Sequence, residues 1–444
     1  MWLFMVYSFS ESSREQAIET QTHNIGAPSS FAKVNEWMRV QTKLTNKGFP
    51  LNCHRPADMY GTDVSLLYHD FDTFVCDCES LSLDKEDTMF TVQFTIAMSA
   101  HFFSEPDRRG KVQELLGRYL AGHRVHSVEN MDGAVMFGDA AALIWEIKNE
   151  VGAGSCDSYL ELIAHYVKAV AKMVNKDKCP APSFLMEIVG THMAIYGAVY
   201  TNTACTDRLT HCLWLAFQPN NPHAMAQLAR TFKALKLALG RLKEYYSKLP
   251  TVADTQIEFP CFRKFEDETS QQQQTEITYT AEIKNRVFRA TTNTGKKVIV
   301  KFVEKYGRDA HKACADDGFA PQLLSVKHVT SRYKMVVMED LENATELDMY
   351  IVQNPSCKDQ LLQRCKYVLD KLHDRGFCHG DFRPNNVMVV PDNDIKVIDF
   401  DWAGRTNEDT YPLFMNHIDL KWHETASDGK VLRKEHDLYW LSHM

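Results

Sequence analysis

Four polar residues in one short C-terminal stretch have the types and spacing that phosphoryl transfer needs. The segment CHGDFRPNNVMVVPDNDIKVIDFDWAG holds His379, Asp381, Asn386 and Asp399, with five positions from Asp381 to Asn386 and thirteen from Asn386 to Asp399. The first gap suits a loop that aims a carboxylate, Asp381, at an acceptor hydroxyl and an amide oxygen, Asn386, at a metal. The apolar run Val387 to Val390, a turn at Pro391 to Asp394 and the run Lys396 to Ile398 predict a hairpin. That hairpin returns Asp399 beside Asn386, so that the two share magnesium. Upstream, Val298-Ile299-Val300-Lys301 alternates as a strand and ends on a lysine placed to hold the α- and β-phosphates of ATP. Met335 to Met338 is a further strand, and Met338 with Glu339 and Asp340 suits a hinge whose backbone binds adenine.

A second group lies in GDAAALIWEIKNEVGAGS, which holds Asp139, Glu146 and Lys148. On a strand, Glu146 and Lys148 share a face because side chains alternate with period two. With Asp139 from the preceding turn they could hold one magnesium and orient water for attack on a phosphodiester, the lysine stabilising developing charge. Asp139 is favoured for the metal because it follows Gly138 directly before the strand; Asp132, fourteen residues before Glu146, competes for that role. Glu114, on a preceding helix, could complete or brace the metal shell.

The elements that must position these groups divide at a polar stretch, Arg263 to Glu276, which contains the run Gln271 to Gln274 and reads as a linker. The expected organisation is residues 1–100 of uncertain structure packed on the next domain, a domain over 101–250, a linker over 251–276 and a second domain over 277–444. In the first domain Val112, Leu115, Leu116 and Tyr119 share a helical face. Three strands follow, at Val125 to Val128, Ala134 to Phe137 and Ala142 to Ile147. Asp157 or Ser158 then caps a helix bearing Leu160, Ile163, Ala164 and Val167. Strand-like runs at Phe184 to Val189, Met193 to Tyr200 and His211 to Phe217 precede a long amphipathic helix, Pro222 to Tyr246. Phe31 to Thr45 reads as a helix and Phe90 to Ala100 as helix or strand.

At 444 residues, with 44% hydrophobic and 24% charged content, the chain is long enough for two globular cores. A net charge of −8 argues against non-specific coating of nucleic acid, while leaving room for a local basic cleft. The twelve cysteines are scattered, and Cys76 and Cys78 are one residue too close for a zinc knuckle, so reduced core thiols in a reducing compartment are expected. No apolar run approaches the ~20 residues that cross a bilayer, and Met1 to Phe9 lacks the basic start and cleavage site of a signal peptide.

The catalytic stretch resembles the protein-kinase superfamily, and its HGD triplet is similar to aminoglycoside and choline phosphotransferases. Gly380 stands where regulated protein kinases carry arginine, and Asp401 replaces the glycine of a DFG motif. The resemblance implies ATP and magnesium as cofactors and no switching by loop phosphorylation. Ile283 to Thr294 has no glycine where the family's glycine-rich loop belongs, and the helix expected over Gly307 to Asp317 offers Asp309, His311 and Asp316 rather than a glutamate for Lys301. Only 45 residues follow Asp399, so a shortened C-lobe is expected.

The upstream pattern resembles the PD-(D/E)xK endonuclease-like superfamily, whose core order is helix, three strands, helix, strand. The expected fold is therefore α+β or α/β: an endonuclease-like mixed sheet domain followed by a compact two-lobed protein-kinase-like domain. The whole layout resembles Crinkler-type effectors of fungi and oomycetes, some of which carry similar IDFDWAG, YP-x-x-x-N (here Tyr411, Pro412 and Asn416) and KEHDLYWL stretches. That resemblance implies a cytoplasmic or nuclear site of action, in a host cell after secretion, with nucleic acid as a partner of the upstream domain.

Three readings follow. The chain is an ATP- and magnesium-dependent kinase of a protein or small-molecule hydroxyl, fused to a metal-dependent nuclease. Alternatively the nuclease is the working part and the kinase-like domain senses nucleotide or is a pseudokinase. In the third reading both sites are vestigial and the protein is an adaptor.

Overall fold

The structure is a computed structural model that describes residues 11–120, 125–126, 131–269 and 274–444. Met1 to Phe9, positions 127 and 128 of the first expected strand, and Gln271 to Gln273 of the expected linker lie outside the described residues. The chain divides into two units, Ser8–Phe262 and Arg263–Met444.

In the first unit, helices α1 (Glu11–Ile25), α2 (Pro28–Phe31), α3 (Val34–Asn46), α4 (Val64–Leu67), α5 (Asp70–Ser80), α6 (Lys85–Met98) and α7 (Glu105–Tyr119) precede the sheet. Strands β1 (Val125–His126), β2 (Gly133–Phe137) and β3 (Ala140–Lys148) form a meander, and α8 (Ser158–Lys172) crosses to β4 (Ser183–Val189). Then come β5 (His192–Tyr200), β6 (Ala204–Arg208), β7 (Leu213–Trp214) and the long α9 (Pro222–Ser247). The sheet runs β1-β2-β3-β4-β5-β6, with β7 also on β5, and is antiparallel except for the β3 and β4 pair. A parallel pair requires the crossover that α8 supplies.

The period of two explains the two cores. Leu143, Trp145 and Ile147 of β3 enter one apolar cluster with side chains of α5, α6, α7 and α9, while Ile144 enters the other with α1, α3 and α8. Glu146 and Lys148 have the parity of Ile144, which sends both toward α8. Asp157 caps α8 by accepting from the Leu160 amide at 3.1 Å. Of the segment Phe90 to Ala100, the residues up to Met98 are helical, in α6. The run His211 to Phe217 narrows to the two residues of β7, which pair only with His192 and Met193.

The second unit opens on an antiparallel sheet in the order β12-β13-β11-β10-β9-β8. Its strands are β8 (Lys264–Glu266), β9 (Gln274–Lys284), β10 (Val287–Thr292), β11 (Lys297–Val303), β12 (Leu323–His328) and β13 (Lys334–Glu339), with α10 (Arg308–Asp316) inserted before β12. A mainly helical part follows: β14 (Thr345–Glu346), α11 (Leu347–Gln353), α12 (Lys358–Asp374), β15 (Phe377–Cys378), β16 (Val387–Val390), β17 (Asp394–Val397), β18 (Gly404–Arg405) and α13 (Lys434–Leu441). Its core gathers Leu361, Cys365, Val368, Leu369, Val387, Val397 and Phe400. Burial pushes the thiols of Cys53, Cys314, Cys365 and Cys378 up to about 12, so they behave as small apolar groups. Among the described residues no helix is long and apolar enough to cross a membrane.

Candidate functional site

On β11, Val298, Val300 and Phe302 are buried in the sheet's core, which turns Ile299 and Lys301 to the opposite face. There a cavity of about 490 Å³ is lined by Ile299, Lys301, Met338, Asn386, Met388 and Asp399, among others. The strand, the end of β13 and the β16 and β17 hairpin thus bring four of the sequence-predicted nucleotide-site residues, Lys301, Met338, Asn386 and Asp399, to one space. The hairpin closes as expected: Val387 pairs with Val397, and the Ile398 amide donates to the Asn386 carbonyl at 2.9 Å.

The Lys301 ammonium lies 2.6 Å from Asp399 Oδ1 and 2.7 Å from Asp401 Oδ1. Burial works against both carboxylates, but Lys301 and Lys284 hold Asp399 well below the usual carboxylate range. Asp401 is pushed up by burial and by the Asp399 charge, with Lys301 only partly offsetting this. Burial lowers the Lys301 ammonium less than its two carboxylate neighbours raise it, so it stays charged. Asp399 has a backbone φ of +67°, a left-handed conformation that a non-glycine residue adopts only where its surroundings impose it.

Asp381 accepts from Arg383 Nε at 2.5 Å and Nη2 at 2.8 Å, and from Asn386 Nδ2 at 2.9 Å. His379 is fully buried; its Nε2 donates to the Ile398 carbonyl at 3.0 Å and its Nδ1 faces the Asp381 amide at 3.3 Å. This ring ties the loop from His379 to Asn386 to the end of the β16 and β17 hairpin. Gly380 has φ +80°, and a Cβ there would sit 2.9 Å from the Trp402 carbonyl oxygen. An arginine at that position is therefore sterically disallowed, which explains the HGD triplet physically.

Three contributors escaped sequence reasoning. Asp437 on α13 accepts from the His379 amide at 2.9 Å with one oxygen and the Gly380 amide at 2.8 Å with the other, and His373 Nε2 meets it at 2.9 Å. Only the fold carries a tail residue to the loop more than fifty positions earlier. Lys284, at the end of β9, reaches within 3.6 Å of Asp399 Oδ2 from the hairpin that stands in place of a glycine loop. Asp401 takes the role sought on α10. On that helix His311 stacks on Phe400 with ring centroids 4.5 Å apart and bonds Tyr306 and the Pro321 carbonyl, so it supports the hairpin and does not pair with the lysine. At the hinge, the Glu339 and Asp340 amides already donate to the carbonyls of Gln322 and Lys297, at 3.0 and 3.3 Å. Those two amides, expected to face adenine, are engaged within the protein.

In the first unit, Lys148 Nζ donates to Glu146 Oε1 at 2.8 Å and to Glu161 Oε2, on α8, at 2.9 Å. All three are buried, as are Asp132 and His165. Asp132 accepts from Arg109 Nη1 and the Ile147 amide, both at 2.7 Å. Burial, with Asp132 and Glu161 adding, pushes Glu146 upward against the pull of Lys148. Asp139 is not brought to this cluster: it sits in the β2 and β3 turn, at the far end of β3, and accepts from the Val174 amide at 2.6 Å. Glu114 is also elsewhere, ion-paired with Lys111 and Arg118 on its own helix. Asn149 and Glu150 contact Arg108, bracing α7. A larger open groove in this unit is bordered by Arg14, but that guanidinium is committed to the carbonyls of Thr201, Lys176, Cys179 and Tyr200 and has no free donor face for an anion.

A family model described as lipopolysaccharide kinase (Kdo/WaaP) matches residues 324–412, which include Met338, Asp381, Asn386 and Asp399 but not Lys301. Among solved structures, the chain is similar to the Cydia pomonella Granulovirus kinase, PK-1, at 15% identity and a TM-score of 0.25. That match covers 40% of this chain and 60% of the other, so the chain spans about three fifths of that structure's length. No curated protein matches the sequence. The family match falls on the loop, hairpin and hinge that line the cavity of the second unit, and this unit therefore carries a kinase-like domain.

Proposed function

We propose that the Arg263–Met444 unit is an ATP- and magnesium-dependent phosphotransferase acting on a hydroxyl acceptor of a protein or small molecule. The observation that carries this is the meeting of Lys301, Asn386 and Asp399 on one cavity of about 490 Å³, a size in the range of cofactor sites. The groups fit the cofactor chemically: a buried ammonium for phosphate oxygens, and an amide oxygen and an ionised carboxylate, hard ligands, for magnesium. When bound, ATP and magnesium would supply the transferable phosphoryl group and neutralise its charge. Lys301 and Lys284 would hold the phosphates, and Asn386 and Asp399 would hold the metal. Asp381 would accept the proton of the acceptor hydroxyl, and Arg383, which donates to both its oxygens, holds it in place. Asp401 gives Lys301 a second carboxylate partner beside Asp399. The test is transfer of label from γ-labelled ATP to the protein itself or to an added acceptor. Asp381→Ala should lower the rate by about 10²- to 10⁴-fold; equal labelling by variant and wild type would refute the assignment.

A second reading, phosphodiester cleavage by the Ser8–Phe262 unit, is favoured by the convergence of Glu146 and Lys148 in a buried acidic cluster. Glu146 would share the metal and Lys148 would stabilise the charge that develops on the attacked phosphate in the transition state. Asp132, which touches the same strand, is better placed than Asp139 to brace that chemistry. Nicking of plasmid DNA that disappears in Lys148→Ala is the expected outcome; plasmid left intact across several divalent metals would remove this reading.

A further inference from the structure

The β3 and α8 cluster has a polar atom with nothing to bond. His165 is 3% exposed, and its Nε2 has no hydrogen-bond partner. It faces Glu146 Oε2 at 3.7 Å, and ligand atoms of Glu146, Glu161 and His165 all lie within 4.8 Å of one another. A buried imidazole nitrogen without a partner is a costly arrangement that proteins generally avoid, and each instance calls for an explanation. Here the explanation is a ligand that no protein atom replaces.

We infer that Glu146, Glu161 and His165 form a site for one divalent first-row transition ion, of the manganese or zinc class, in the Ser8–Phe262 unit. The ligand set decides the class. Magnesium and calcium take oxygen ligands almost exclusively, whereas an imidazole with carboxylates suits manganese and zinc. Metal–ligand distances of about 2.1 Å place neighbouring ligand atoms roughly 3.4 Å apart in a tetrahedral site, close to the spacing already present between His165 and Glu146.

Charge balance points the same way. Two carboxylates, Glu146 and Glu161, share a single ammonium, Lys148, and a divalent ion between them would add a second cation to the cluster. Asp132 is not in the ligand set because Arg109 and the Ile147 amide each engage one of its oxygens. Cys156, whose thiol donates to the same Glu161 oxygen at 3.3 Å, lies at the rim beside the exposed Val151 to Ser155 turn. The site therefore uses residues of α8 that the spacing of Asp139, Glu146 and Lys148 did not suggest. It bears on the phosphodiester-cleavage reading without depending on it.

The test uses the full chain with Asp399→Asn and no nucleotide, so that the kinase-like site is removed from the count. Manganese titration read by electron paramagnetic resonance should give one bound ion per chain, at least tenfold tighter than magnesium in competition. Pulsed spectra of the bound ion should carry nitrogen hyperfine coupling. His165→Ala and His165→Gln should each weaken binding at least tenfold and abolish that coupling, while Asp139→Ala leaves both unchanged. No bound manganese, absence of nitrogen coupling in the unsubstituted site, or equal preference for magnesium would overturn the proposal, and the spectroscopic readout stands even if the His165 variants do not fold. Metal binding without plasmid cleavage would keep the site and remove only the nuclease reading.

Discussion

Two buried histidines outside the acidic cluster show how residue chemistry is set by neighbours. His379 and His311 are both fully buried and both contact Phe400, yet one ties the catalytic loop to the hairpin and the other anchors α10. His311 uses Nδ1 toward the Tyr306 hydroxyl at 2.6 Å and Nε2 toward the Pro321 carbonyl at 2.9 Å, which makes it a neutral tautomer with the proton on Nε2. Burial lowers it to about 4, below the ordinary value of 6.5. Because the folded value is depressed, its contribution is fully present above pH 6.5 and is lost as pH falls toward 4. The loss is on the order of 3 kcal/mol. The stability gap between wild type and His311→Gln in urea unfolding should therefore narrow across that window; a constant gap would show that the ring is not held neutral.

At the scale of elements, the register of β2 on β3 decides which groups can meet. Gly133 lies opposite Trp145, whose indole is fully buried, and a Cβ at Gly133 would come within 2.1 Å of the ring. The indole thus occupies the space above the glycine and fixes the pairing. A slip of one residue would exchange the faces of β3 and turn Glu146 and Lys148 away from α8. Gly133→Ala should destabilise the first unit by about 3 kcal/mol, since a rigid ring in a packed core has no room to yield. Denaturant unfolding checks this, and a change below about 0.5 kcal/mol would mean the ring moves freely. In the second unit the same logic applies to α13, which reaches the catalytic loop through Asp437 and fixes two successive amides.

For the whole molecule, each unit has its own apolar clusters among the described residues: two on the faces of the mixed sheet and, in the kinase-like unit, a central one with Leu361 and Phe400 and a smaller one with Tyr411 and Leu432. A ligand that binds only one folded unit stabilises that unit alone, by about 2.7 kcal/mol at a hundred times its dissociation constant. Calorimetry should show two transitions, with ATP and magnesium raising the one that belongs to Arg263–Met444 and leaving the other in place. A single transition that moves as a whole would contradict this.

The sequence by itself determined the groups whose meeting is local. Asp381 and Asn386 share a loop, Asn386 and Asp399 are joined by one hairpin, and Glu146 and Lys148 sit two apart on one strand, so chain geometry alone fixes their proximity. Helices α7, α8 and α9 and the order of β2 to β5 along the chain were legible through apolar periodicity, while α1 and α12 were not read. What only the tertiary structure decided are meetings between residues far apart in the chain: Lys301 with Asp401, Asp437 with the catalytic-loop amides, and Glu161 and His165 with Glu146. Asp139 and Glu114 had the right type and nearly the right spacing, but spacing along a chain does not say which end of a strand or which face of a helix a carboxylate will occupy. Packing against α8 and the Val174 amide decided that.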